Sequence, residues 1–145
     1  MSPQEIADRF EIQELLTRYC YAIDDRDWQA FAQLFTADAT LDFTAFGGPR
    51  ADVPGLVAFM SKMLAAAAGC QHTISTSLLK FEGADDVRAR TAGLVPIAFA
   101  GADGAVRVSF SGLWYHDHIV RTPAGWRFQE RVQVRAWTHN MPQGL

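Results

Sequence analysis

Two side chains far apart in this 145-residue chain have the types and placing to share a proton. Asp24 stands at the end of an apolar stripe, Ile12, Leu15, Leu16, Tyr19, Ala22 and Ile23, whose spacings of three and four put them on one face of a helix. A carboxylate at that point turns toward the interior, whereas Asp27 fits the cap of the next helix. Spacing alone leaves a solvated Asp24 equally open. His72 opens a strand in Gln71-His72-Thr73-Ile74, just past a helix stop at Gly69, where a histidine is more often structural than chemical. Coupled, the two make a general-base pair: a carboxylate that accepts from one ring nitrogen fixes the tautomer and leaves the other nitrogen as a base near neutral pH.

Other chemistries lack their residues. The chain has no GxGxxG ahead of a helix, no P-loop, no GxSxG and no HExxH, so neither a cofactor nor a metal is expected. His116 and His118 share one strand face, but nothing else completes a metal site there, and a solvated or interface strand is the better reading.

The elements that must position Asp24 and His72 follow from local signals. Ser2-Pro3-Gln4-Glu5 is a capping box with Pro at the first helical position, so a helix starts at the N-terminus. A second helix is expected from Trp28 to Phe35 and a short strand from Ala39 to Phe43, before Gly47-Gly48-Pro49 breaks the chain. A third helix runs from about Pro54, burying Leu56, Phe59, Met60, Met63 and Leu64, and ends near Gly69. Segments His72 to Phe81, Val87 to Phe99, Val106 to Arg121 and Trp126 to Trp137 are rich in β-branched and aromatic residues and are separated by hairpin turns. Helices first and long strands afterwards predict an α+β fold, a conical, curved antiparallel sheet wrapped around the N-terminal helices. No repeat or linker suggests a second domain over residues 1–145.

Composition narrows the function classes. The 49% hydrophobic and 12% aromatic content exclude a disordered chain. A net charge of −3 argues against a nucleic-acid binder, which needs clustered cations to displace counterions. The longest apolar stretch, Leu56 to Ala68, is interrupted by Ser61 and Lys62 and falls short of the ~20 residues of a membrane span. No signal peptide is visible, so a soluble cytoplasmic protein is expected. Cys20 and Cys70 read as free thiols. Of the 13 cationic residues only Lys62 and Lys80 are lysines, and arginine's rigid fork of donors suits planar or anionic partners.

The series Tyr19-(x4)-Asp24, Asp27-Trp28, Leu34-Phe35-Thr36-Ala37-Asp38-Ala39, Cys70-Gln71-His72, and Gly125-Trp126-Arg127-Phe128 ending in Glu130-Arg131 resembles the nuclear transport factor 2-like superfamily. Within it, the sequence is most similar to the polyketide-cyclase-like (SnoaL-like) branch that contains scytalone dehydratase, bile-acid 7α-dehydratase and hexachlorocyclohexane dehydrochlorinase. That resemblance implies a conical α+β barrel around one deep pocket, in a trimer or dimer. It implies that Asp24 and His72 are the dyad, with His72 the proton-abstracting base, and that Arg131 steadies a departing anion. Tyr19 matches a tyrosine in the bile-acid enzyme and a lysine in the dehydrochlorinase. A neutral phenol favours loss of a hydroxyl over loss of chloride. Phe43 stands where the scytalone enzyme carries a tyrosine, and that enzyme's second histidine falls among Pro96 to Phe99, a departure on both counts.

The leading expectation is a cofactor-independent lyase for a small, apolar, cyclic substrate. Phe43, Phe46, Phe59, Cys70, Leu113, Tyr115 and Trp137 are the expected pocket walls. The alternatives are a steroid-type ketone isomerase using Tyr19 and Asp42, which would leave His72 idle and lack a second acid among Ser109 to Leu113, and a non-catalytic binding or oligomerisation module. One conflict stands. Strict alternation along the last strand puts Arg131 with Arg127, Gln129, Gln133 and Arg135, opposite Trp126, Phe128, Val132 and Val134. Turning Arg131 toward a pocket then needs either a polar cavity wall with the apolar face in a subunit interface, or a β-bulge. The apolar face of the last strands, with Trp114 and Trp137, exceeds what one helical layer covers, so an oligomer is expected.

Overall fold

The computed structural model describes residues 1–142. Helix α1 spans Pro3–Asp24; the Ser2 hydroxyl accepts from the Glu5 amide at 3.1 Å, as the capping box requires. Its buried stripe includes Ile12, Leu15, Leu16, Tyr19, Ala22 and Ile23. Asp8, also buried, ties the helix to the sheet by accepting from Trp126 Nε1 at 3.2 Å and pairing with Arg121 at 2.8 Å. Helix α2, Trp28–Ala32, is capped by Asp27, whose Oδ1 accepts from the Ala30 amide at 2.9 Å.

Helix α2 is shorter than its expected reach to Phe35, because the chain already pairs as strand β1 over Phe35–Asp42. After a 3-10 turn at Thr44–Phe46 come β2 (Arg50–Ala51) and α3 (Val53–Ala65). Helix α3 stops four residues before Gly69, because Ala67–Cys70 forms a further strand, β3, against the long strand β5. Strands β4 (Thr73–Phe81), β5 (Asp86–Ala100), β6 (Val106–Thr122) and β7 (Gly125–His139) follow where the hydrophobic runs put them. The turn into β7 needs a positive φ, and Gly125, at +101°, meets that need at no steric cost.

Seven strands form one curled half-barrel sheet in the order β2-β1-β7-β6-β5-β3, with β4 alongside the first half of β5. Every pairing is antiparallel except β1 with β7, which run parallel and close one side of the sheet. Helices α1 and α3 fill the concave side. The core there joins Ile12, Leu16, Ile23 and Leu56 to Val87, Ile119 and Phe128, with Tyr19, Phe31, Phe35 and Phe128 in mutual ring contact. No helix among the described residues is long and apolar enough to cross a membrane.

Candidate active site

Asp24 is the last residue of α1, and His72 lies in the two-residue link between β3 and β4 rather than inside a strand. The curl of the sheet brings them together. Asp24 Oδ1 lies 2.7 Å from His72 Nδ1, and Asp24 Oδ2 accepts from the His72 amide at 2.8 Å. The Cys70 thiol donates to Asp24 Oδ1 at 3.4 Å. Both side chains are largely covered, 8% exposed for His72 and 17% for Asp24. Burial works against the Asp24 carboxylate, but the hydrogen bonds and charge of His72 outweigh it and hold the carboxyl below its ordinary pKa. An ionised Asp24 can only accept, so in the neutral form of the ring Nδ1 carries the proton and Nε2 the lone pair.

The donor atoms of Asp24, Cys70 and His72 lie within 4.8 Å of one another, close enough to suggest a metal. Burial, reinforced by the neighbouring Asp24, pushes the Cys70 thiol up to about 11, so it donates to the carboxylate as a neutral group. Both Asp24 oxygens are already engaged by the same loop.

Beside the dyad sits a second buried pair. Arg131 donates through Nε to Asp117 Oδ1 at 2.7 Å and through Nη2 to Oδ2 at 2.8 Å, with side-chain exposures of 1% and 0%. Its guanidinium carbon lies 4.0 Å from the centre of the Tyr19 ring, 4.1 Å from Tyr115 and 4.2 Å from Phe128. Burial opposes the Arg131 charge, yet Asp117 more than compensates and raises its pKa. Desolvation pushes Asp117 up while Arg131 draws it down.

Arg131 reaches this place through a β-bulge. Ile119 pairs with Phe128 but His118 pairs with Glu130, so Gln129 is an extra residue that reverses the phase of the strand. Trp126, Phe128 and Arg131 then all face inward, which resolves the conflict in the alternation. Asp117, between the two histidines of β6, is a member of this pair that local spacing does not assign. Its signal was its alternation with Leu113, Tyr115 and Ile119 on the buried face of the strand.

Tyr19 and Tyr115 lie against each other, with ring centres 5.6 Å apart, and Tyr19 stands 6.3 Å from the His72 ring, edge to face. Phe43 and Leu113 are buried, and Phe46, Phe59 and Cys70 half-buried. Arg135 caps the Ala45 carbonyl and lies over the Phe46 ring. Trp137 does not join these residues. A second irregularity pairs it with Gly112 instead of Ser111, and its ring fills the space where a Gly112 Cβ would stand, on the face opposite Leu113 and Tyr115. It is half exposed because the outer face of the sheet carries no helix. Asp42 pairs with Val132, one residue past the buried Leu41–Arg131 pair, and its Oδ1 accepts from the Thr44 hydroxyl at 2.6 Å. Clefts of about 350 Å³, between Leu78, Arg90, His116 and Val132, and about 750 Å³, between α1, α2 and the β6–β7 turn, do not include the dyad.

With this geometry in place, comparison with known proteins gives a consistent answer. Residues 4–132 match the SnoaL-like domain, and the chain belongs to that family. The uncharacterized protein Rv2910c of Mycobacterium tuberculosis is 36% identical over 141 residues, covering 97% of this chain and 94% of its own. Among solved structures, a scytalone dehydratase-like protein of Novosphingobium aromaticivorans superposes with a TM-score of 0.87 at 16% identity, covering 98% of this chain and 93% of that one. A type 2 hexachlorocyclohexane dehydrochlorinase gives 0.81 at 19% identity, covering 98% of both chains. The fold is thus the nuclear transport factor 2-like cone.

Proposed function

We propose that this protein is a cofactor-independent lyase, a dehydratase for a small, largely apolar, cyclic substrate. The observation that carries this reading is the 2.7 Å contact between His72 Nδ1 and Asp24 Oδ1, which leaves Nε2 as the only unpaired basic atom of the ring. His72 Nε2 removes a proton from carbon, Asp24 orients the ring and stabilises the imidazolium, and Tyr19 donates to the departing oxygen. Arg131 is locked to Asp117, so its part is to set a positive charge behind the Tyr19 ring, where it favours negative charge on an oxygen held by that phenol. The dehydratase and dehydrochlorinase among the structural neighbours support elimination as the reaction class. Tyr19 in place of a fixed cation favours loss of hydroxyl.

The protein acts, in this reading, as a soluble cytoplasmic oligomer, a dimer or trimer, without nucleic-acid or membrane partners. The outer sheet face with Trp114, Val132, Val134 and Trp137 supports this. The test follows carbon-bound hydrogen in deuterated buffer for a panel of β-hydroxy ketones and cyclic alcohols, together with alkene formation. Wild type exchanges or eliminates at least one member, and His72→Ala loses that activity by ~10²–10⁴-fold. Tight binding with no exchange by wild type would instead favour a binding module.

A further inference from the structure

Tyr19 and Tyr115 share a property that the proposed reaction uses only once. Both rings are fully buried, and among the described residues their hydroxyls are the buried side-chain polar atoms with no partner at hydrogen-bond geometry; Arg131, the polar group that interacts with the Tyr19 oxygen, is a donor, so neither O–H has an acceptor. A buried hydroxyl left unpaired is costly, so two of them side by side point to a missing acceptor. Tyr115 is held there deliberately by the backbone. A Cβ on Gly93, which pairs with Leu113 across β5 and β6, would lie 2.9 Å from Tyr115 Cε2 and 3.1 Å from Leu113 Cδ1, so the bare glycine makes room for the ring. The Arg131 guanidinium, packed against both rings, withdraws electron density from both O–H bonds. Burial nonetheless raises the pKa of each phenol, so both remain protonated donors.

We propose that Tyr115 is a second substrate-binding donor which, paired with Tyr19, holds one oxygen of the substrate and so selects oxygen-bearing substrates over their halogenated or hydrocarbon counterparts. The proposal rests on the lyase reading for its reaction: His72 Nε2 takes the proton, the C–H pair becomes the new π bond, and the C–O pair goes to the oxygen between the two phenols. The imidazolium then returns that proton to the departing hydroxide. One water leaves, and neither phenol ends ionised.

The experiment needs no turnover. Fluorescence titration with 2-naphthol and with 2-methylnaphthalene, which has the same shape without the hydroxyl, measures the preference for an oxygen. Wild type should favour the naphthol, and Tyr115→Phe should reduce that preference roughly tenfold while leaving hydrocarbon affinity unchanged. Tyr19→Phe should do the same. In the ligand-free protein Tyr115→Phe should melt at the same temperature or higher, because it removes an unpaired buried hydroxyl, whereas a structural tyrosine would lower it. The proposal is overturned by a wild type without preference for the naphthol, by an unchanged preference in Tyr115→Phe, or by a lower melting temperature in that variant. Naphthol selectivity without any proton exchange would retain the paired donors and remove the lyase reading. Elimination with an unaltered preference in Tyr115→Phe would do the reverse.

Discussion

The molecule holds two acid–base pairs side by side, and they are built for opposite ends. Asp117 and Arg131 come from neighbouring strands, exchange two short hydrogen bonds, and are closed off by three aromatic rings. Asp24 and His72 come from a helix end and a loop, share one side-chain hydrogen bond, and leave a ring nitrogen unused. The first pair is closed on itself, each Asp117 oxygen taken by an Arg131 N–H, so it fixes the geometry around it. The second leaves His72 Nε2 unpaired, and in the proposed reaction that nitrogen takes the proton. Burial is thus not what separates a structural pair from a chemical one. The difference lies in whether any lone pair remains.

The largest effect on folding is expected from breaking the closed pair. Asp117→Asn or Arg131→Met leaves one buried charge without its partner, and chemical denaturation should show a loss of about 3–5 kcal/mol. Replacing both together with apolar residues of similar volume should recover much of that loss. Asp24→Asn should instead leave the fold intact and lower turnover by ~10²–10⁴-fold, and the double variant Asp24→Asn/His72→Ala should be no worse than the poorer single one, since the two act as a unit. If Asp24→Asn unfolds the protein while Asp117→Asn only slows it, the comparison is reversed.

Smaller effects sharpen it. Gly93→Ala forces the Tyr115 ring to move and should cost about 1–3 kcal/mol in thermal or denaturant melts, reading how firmly the cage grips Arg131. The depressed pKa of Asp24 has its own sign. A carboxyl held lower in the folded state stabilises the fold above its unfolded pKa of about 3.9, and that contribution disappears as pH falls through the folded value. The stability gap between wild type and Asp24→Asn should therefore be widest near neutral pH and close in strong acid. The gentlest test concerns the outer face: sedimentation at micromolar concentration should show a dimer or trimer, and a 16.1 kDa species alone would leave Trp114 and Trp137 without the covering surface proposed for them.

Local signals carried much of this molecule. The Ser2–Glu5 cap, the α1 stripe and the Gly-rich turns each act within a few residues, so the order of helices and strands could be read directly from them. Asp24 and His72 could be nominated as a pair because each stands where an apolar pattern stops. Distances within one element are set by its own periodicity, and there the amino-acid order alone decides. The register between strands is different. A single extra residue, Gln129, turns Arg131 from the outer face to the inner one, and another slip near Gly112 carries Trp137 outward. Ala67–Cys70 became a strand and Phe35 left its helix only because β5 and β7 offered unsatisfied edges. Asp117 alternates onto the buried face of β6, but its partner Arg131 is set only by the register of β7. These outcomes depend on which partner backbone lies alongside, and no local propensity encodes a neighbour that the chain meets only after folding.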